Sequence, residues 1–165
     1  MQLQQKIIPC LWFDDQAKAA AEYYVGIFPS SRITHISRYP DAGQEIHGKP
    51  PGSVLTVSFE LDGCPFTALN GGPHFRFNEA ISLQVICQDQ AEVDHYWSAL
   101  AAGGDPAAQQ CGWLKDRFGL SWQVFPDELT HMLDDPDPDK ANRVMEVMLQ
   151  QKKIQLDALQ RAYAG

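Results

Sequence analysis

One short stretch of this chain has an echo further along. Gly63-Cys64-Pro65-Phe66-Thr67-Ala68-Leu69 is echoed by Gly119-Leu120-Ser121-Trp122-Gln123-Val124-Phe125, an offset of 56 that sets Phe66 against Trp122. A second echo lies upstream. Asp15-Gln16-Ala17 returns as Asp89-Gln90-Ala91, an offset of 74 that sets Tyr23 against Trp97. Both fall at corresponding places in two similar orders of predicted elements, which marks a duplicated supersecondary unit.

The elements follow from periodicity. Residues 6–13 read as a strand, with Pro9 pointing to a sheet edge or a bulge. Asp14-Asp15 stands as the cap of a helix over 16–27, where Ala17, Ala20, Ala21, Tyr24 and Phe28 recur at helical spacing and Gly26 and Pro29 mark the end. A second strand is expected at 32–39. Segment 40–53, rich in proline, glycine and charge, reads as a surface loop or lid. In 54–61, Leu55, Val57, Phe59 and Leu61 alternate with Thr56, Ser58 and Glu60. Asp62-Gly63 then turns the chain into a strand at 65–70. Residues 71–79 have no period and connect the halves.

The order then restarts. A strand at 80–87 sets Ile81, Leu83, Val85 and Cys87 on one face, Ser82 and Gln84 on the other. Asp89 caps a helix over 90–102, ended by Gly103-Gly104. A hairpin within 111–126 turns at Asp116 to Gly119 and holds two tryptophans and a Lys115-Asp116-Arg117 cluster. Asp137-Pro138 starts a helix to about 151 with an apolar stripe of Val144, Val147 and Met148. A last helix at 157–164 carries Leu159 and Tyr163. These two helices need a surface to cover, either the sheet or a second chain. The order is strand, helix, three strands, then strand, helix, two or three strands, which predicts an α+β chain.

Composition excludes several functions. The 165 residues carry a net charge of −8 with scattered Lys and Arg, so no nucleic-acid surface is expected. No apolar run reaches membrane-spanning length. The N-terminus lacks the apolar run of a signal peptide, and a cytoplasmic location is expected. Cys10, Cys64, Cys87 and Cys111 form no C-x-x-C pair and fall in or beside predicted strands, where free thiols pack as small buried hydrophobes.

A duplicated βαβββ unit resembles the vicinal oxygen chelate superfamily, which includes glyoxalase I, extradiol dioxygenases, and bleomycin and fosfomycin resistance proteins. Leu11-Trp12-Phe13-Asp14, Ala68-Leu69-Asn70-Gly71-Gly72-Pro73, Phe77-Asn78-Glu79-Ala80-Ile81-Ser82-Leu83 and the 111–126 hairpin are similar to the PhnB-like family, often described as demethylubiquinone methyltransferases. The similarity covers 6–126, and Met148 to Ile154 is similar to longer members. It implies one glyoxalase-like domain over 1–165: α+β, with duplicated βαβββ modules at 6–72 and 80–126 and a C-terminal helical extension at 127–165. It also implies a homodimer, since superfamily cups are often completed by a second chain.

In metal-dependent members, four ligands come from the first and last strand of each module. By register these positions are Ile8, Thr67, Ser82 and Gln123 here, and the repeat offsets relate Ile8 to Ser82 and Thr67 to Gln123. Nickel, iron, manganese or zinc would want His and carboxylate donors. No superfamily metal and no cofactor are therefore expected.

Parity places Cys10, Trp12, Thr56, Ser58, Glu60, Thr67, Leu69, Ser82, Gln84, Ser121, Gln123 and Phe125 on the cup side of the sheets. The candidate ligand-binding residues are Trp12, Ser58, Glu60, Thr67, Leu69, Ser82, Gln84, Ser121, Gln123 and Phe125. Amides and hydroxyls among aromatic rings suit a small organic ligand. Glu60 is the candidate general base, provided that burial desolvates it. Cys111 has no His beside it, and His74 lies in the connection. Lys115, Asp116 and Arg117 read as pairing that fixes the turn. His35, His47, His95 and His131 have no metal-binding spacing.

Methyl transfer from S-adenosylmethionine typically uses a Gly-rich turn from a strand onto a helix. Gly71-Gly72-Pro73 opens no capped helix, so that chemistry is not expected. The expected function is binding of a small organic ligand in a sheet-lined cup. The alternative is a metal-dependent or metal-free enzyme of the glyoxalase or dioxygenase type, a lyase, isomerase or transferase.

Overall fold

Alternation in residues 54–61 becomes alternation of environment. Val57, Phe59 and Leu61 are buried, while Thr56, Ser58 and Glu60 are partly exposed. The computed structural model describes residues 5–165, and the reading of the N-terminus rests partly on Met1 to Gln4, outside that range. The chain divides into two compact units, the first ending at Arg76 and the second running from Phe77 to Gly165.

The first unit contains β1 (Cys10–Phe13), α1 (Ala17–Ile27), β2 (Arg32–Arg38), α2 (Gln44–His47), β3 (Val54–Leu61) and β4 (Cys64–Asn70). Its sheet has the order β1-β4-β3-β2, with β1 parallel to β4 and the other pairs antiparallel. Leu11, Phe13, Val57, Phe59 and Ala68 are buried on the face covered by α1, which presents Ala17, Ala20, Ala21 and Tyr24. Tyr24 stacks at 6.4 Å on Phe59, which stacks at 5.5 Å on Phe66. Full burial of the Phe59 side chain contributes about 1.5–3 kcal/mol.

Asp14 and Asp15 do not cap α1. The cap position is Gln16, without a side-chain bond. Parallel pairing sets Phe13 opposite Asn70, so the end of β4 lies beside the start of the helix. Asn70 Oδ1 accepts from the Ala17 N–H at 2.8 Å, and Asn70 Nδ2 donates to Val54 O at 3.1 Å. A side chain distant in sequence thus supplies the cap. The 40–53 segment is not wholly irregular, since α2 forms between the left-handed glycines Gly43 and Gly48.

The second unit contains β5 (Ser82–Cys87), α3 (Gln90–Ala101), β6 (Trp113–Lys115), β7 (Ser121–Pro126), α4 (Asp127–Leu133), α5 (Pro138–Leu149) and α6 (Leu156–Ala164). Its sheet has the order β5-β7-β6, with β5 parallel to β7. Two strands follow the helix, the shorter of the expected orders. Where the first unit has β2, Asp105 instead caps a 3₁₀ turn at Pro106–Ala108. Proline withholds the backbone donor that a strand there would use. Val85, Cys87, Leu114, Trp122 and Val124 are buried with Val93, Trp97 and Leu100 of α3.

Asp89 and Asp137 cap α3 and α5 as expected, each accepting a backbone N–H. Helix α4, absent from the sequence reading, starts directly after Pro126 and buries Leu129 and Met132. It packs with α5 and α6. Val144 is fully buried and Val147 and Met148 half-buried, so much of the stripe that needed either the sheet or a second chain is covered within this unit. The extension is also bonded to the start of β6. Cys111 N–H donates to Gln151 O and Gly112 N–H to Lys152 O, both at 2.8 Å. Gly112 is left-handed, and a Cβ there would stand 2.9 Å from Val124 O.

Two thiols depart from expectation. Cys87 is buried, its pKa pushed up to about 12 chiefly by desolvation. Cys10 and Cys64 are exposed, because one lies at the start of β1 on the sheet face away from α1 and the other follows the Asp62-Gly63 turn. No helix among the described residues is long and apolar enough to cross a membrane.

Candidate functional site

In the first sheet, cross-strand register fixes which side chains share the face opposite α1. Cys10 pairs with Thr67, Trp12 with Leu69, Thr56 with Leu69, and Ser58 with Thr67. Trp12 is held in place, since its Nε1 donates to Gly72 O at 2.8 Å and Phe75 meets it edge-on at 4.9 Å. A Cβ on Gly71 would collide with the Trp12 ring, so glycine there makes room for the indole. Glu60 lies at the end of this face with its side chain 30% exposed, and Arg32 Nε stands 3.1 Å from its carboxylate.

In the second sheet, Ser82 pairs with Ser121, Gln84 with Gln123, and Ile86 with Phe125. Gln123 Nε2 donates to Ser82 Oγ at 2.7 Å. Strand β6 adds two residues to this face, because Trp113 pairs with Gln123 and Lys115 with Ser121. Sequence reasoning missed both, since three residues are too few to show an alternation. Only their pairing with β7 reveals the face.

A cavity of about 420 Å³, with a mostly apolar lining, is formed by residues that include Cys111, Trp113, Lys115, Glu79 and Ser121. Ser121 is 1% exposed. Among the described residues, its Oγ is the buried side-chain polar atom without a hydrogen-bond partner. Lys115 forms an ion pair with Glu79, and that contact holds the Glu79 carboxyl below the usual carboxylate range.

The profile of the family described as 3-demethylubiquinone-9 3-methyltransferase matches residues 5–125. The chain belongs to this PhnB-like family. A PhnB protein from Bacillus cereus is 32% identical, with a TM-score of 0.62 over 74% of this chain and 99% of that one. A Pseudomonas aeruginosa protein that is 19% identical shares the fold, with a TM-score of 0.57 over 74% of this chain and 98% of that one. A glyoxylase/bleomycin resistance protein/dioxygenase domain from Frankia sp. is 13% identical, with a TM-score of 0.47 over 76% of this chain and 93% of that one. No curated protein matches the chain.

In this PhnB-like chain the positions implied for superfamily metal ligands hold an alkyl group, two hydroxyls and an amide. The amide of Gln123 is already bonded to the hydroxyl of Ser82. Such a donor set does not fit a transition metal, which wants imidazole or carboxylate. Among the described residues, no three His, Cys, Asp or Glu side chains group as a site.

The other sequence candidates fall in separate places. Asp116 is buried and builds the hairpin turn, while Arg117 Nε donates to Ala102 O at 3.1 Å. His74 is exposed in the segment after β4.

Proposed function

We propose that this PhnB-like protein binds a small organic ligand on the open, polar faces of its sheets, without a metal of the superfamily type. One observation carries the reading. Ser121 buries a hydroxyl that has no partner while lining a cavity on that face. Burying an unsatisfied hydroxyl costs about 1–3 kcal/mol. A ligand group that bonds to it would remove that cost on binding. On the same sheet, the Ser82–Gln123 pair and the half-buried rings of Trp113 and Phe125 supply further fixed polar groups and apolar wall.

The enzyme alternative, with Glu60 as base, is less well supported because Arg32 engages that carboxylate at the strand end. Methyl transfer, named in the family description, lacks the usual loop. Gly71 and Gly72 lead from β4 through a helix-free segment into β5. A thermal-shift screen of metabolites and antibiotics tests the proposal. At least one organic compound should raise the melting temperature, and prior treatment with a chelator should change neither that shift nor the unliganded melting temperature. No stabilising compound, or a stoichiometric divalent ion whose removal lowers the melting temperature, would contradict it.

A further inference from the structure

The cavity on the second sheet has more chemistry than a generic pocket. Lys115 and Ser121 are direct cross-strand partners on one face. Their Cβ atoms therefore stand roughly 5 Å apart. One carries three N–H donors and the other a buried hydroxyl without a partner. Trp113 lies two residues before Lys115, so its ring is on the same face one step along the strand. Two adjacent donors, one of them charged, beside an indole and a mostly apolar wall match a flat molecule with an anionic end.

Glu79 already offers such an end. Its carboxylate pairs with Lys115 from the segment before β5, and its side chain is 62% exposed. Lys115 is 26% exposed, so the pair is open to water mainly on the Glu79 side, where ion pairs are weakly held. A ligand carboxylate of the same charge can take this place while Glu79 turns out into water. The ligand carboxylate would then also accept from Ser121, which Glu79 does not satisfy.

Resting on the ligand-binding proposal, we infer that this face carries a subsite for a small aromatic carboxylate, with its carboxylate on Lys115 and Ser121 and its ring against Trp113. No covalent bond is made or broken in the step, since one carboxylate replaces another on Lys115.

The test is a calorimetric titration of the full chain with 2-naphthoate, and with 2-naphthalenemethanol as its uncharged counterpart. Naphthoate should bind saturably with one site per chain, and the alcohol at least tenfold more weakly. Lys115→Met and Ser121→Ala should each weaken naphthoate at least tenfold, Lys115→Arg should restore most of the loss, and Glu79→Gln should tighten binding about threefold or more. Thermal melts of the same samples establish that each variant is folded. Binding unchanged in both Lys115→Met and Ser121→Ala, or no binding to either wild type or Glu79→Gln, would overturn the inference. If naphthoate fails while another compound from the thermal-shift screen binds, this subsite is wrong and the ligand-binding proposal stands. If nothing binds, both fall.

Discussion

Asp116 accepts from the Trp122 indole Nε1 at 2.8 Å and from the backbone N–H groups of Phe118 at 2.8 Å and Leu120 at 3.1 Å. It is only 3% exposed. Asp116→Ala would leave buried donors unpaired, and we expect a loss of about 3 kcal/mol in a denaturant melt, with Asp116→Asn losing less. Ser121→Ala should do the opposite, leaving stability unchanged or slightly raised because no protein bond is lost, even as it weakens the ligand. The pair illustrates what single residues reveal in sequence. The Asp116–Gly119 turn was readable, and Gly119 indeed bonds back to Asp116 O at 2.9 Å. That the carboxylate also holds Trp122 was not readable, because the indole returns to it only once β6 and β7 pair.

At the scale of elements, strands with long alternation and helices with local caps were legible. Val54–Leu61, and the caps Asp89 and Asp137, needed only neighbours in sequence. Elements set by distant partners were not. The start of α1 depends on Asn70, and β6 is too short to carry a pattern. Helix α4 has only Leu129 and Met132 buried, too few to show a period.

The end of α6 is also tied across the fold. Tyr163 Oη donates to the Asp135 carboxylate, and Arg143 Nε donates to Ala162 O at 2.8 Å. The Tyr163 bond holds the Asp135 carboxyl below its usual range, and the same bond pushes the phenol of Tyr163 up. A depressed carboxylate stabilises the fold above its unfolded pKa and loses that effect as pH falls through the folded value. A raised phenol stabilises below its unfolded pKa and loses it as pH rises through the folded value. Tyr163→Phe should therefore lower the melting temperature between about pH 4 and about pH 10. The gap to wild type should close on both sides in a pH series of melts.

At the scale of the molecule, the helices after Pro126 lie beyond the stretch matched by the family, yet they are built into the second unit. Val144, Ile154 and Leu159 are fully buried. Ending the chain at Pro126 would expose this core and remove the acceptors of Cys111 and Gly112. The truncated chain should lose its cooperative melt or aggregate, as seen by calorimetry.

We propose that the expected homodimer uses exposed apolar side chains outside the covered stripe. Ile81, just before β5, is 73% exposed, and Ile86, on the open face of β5, is 58% exposed. Light scattering at micromolar concentration should give twice the 18.5 kDa chain mass. The chain mass alone would contradict a dimer.

The division of the sheets into a packed face and an open face was the most legible feature of the candidate site, because strand parity alone assigns it. The cavity was not legible, since it depends on β6 register and on a buried hydroxyl. The four tryptophans sample both environments. Trp12 and Trp113 are half-buried on open faces, whereas Trp97 and Trp122 are buried with the helix-packed cores. The most direct test is to follow the four indole N–H signals by nitrogen–proton correlation NMR while adding a compound that raises the melting temperature. Ligand binding on the open face that holds Ser121 should shift Trp113 and leave Trp97 and Trp122 in place. Shifts confined to Trp97 and Trp122, or no indole shift at saturating compound, would contradict it.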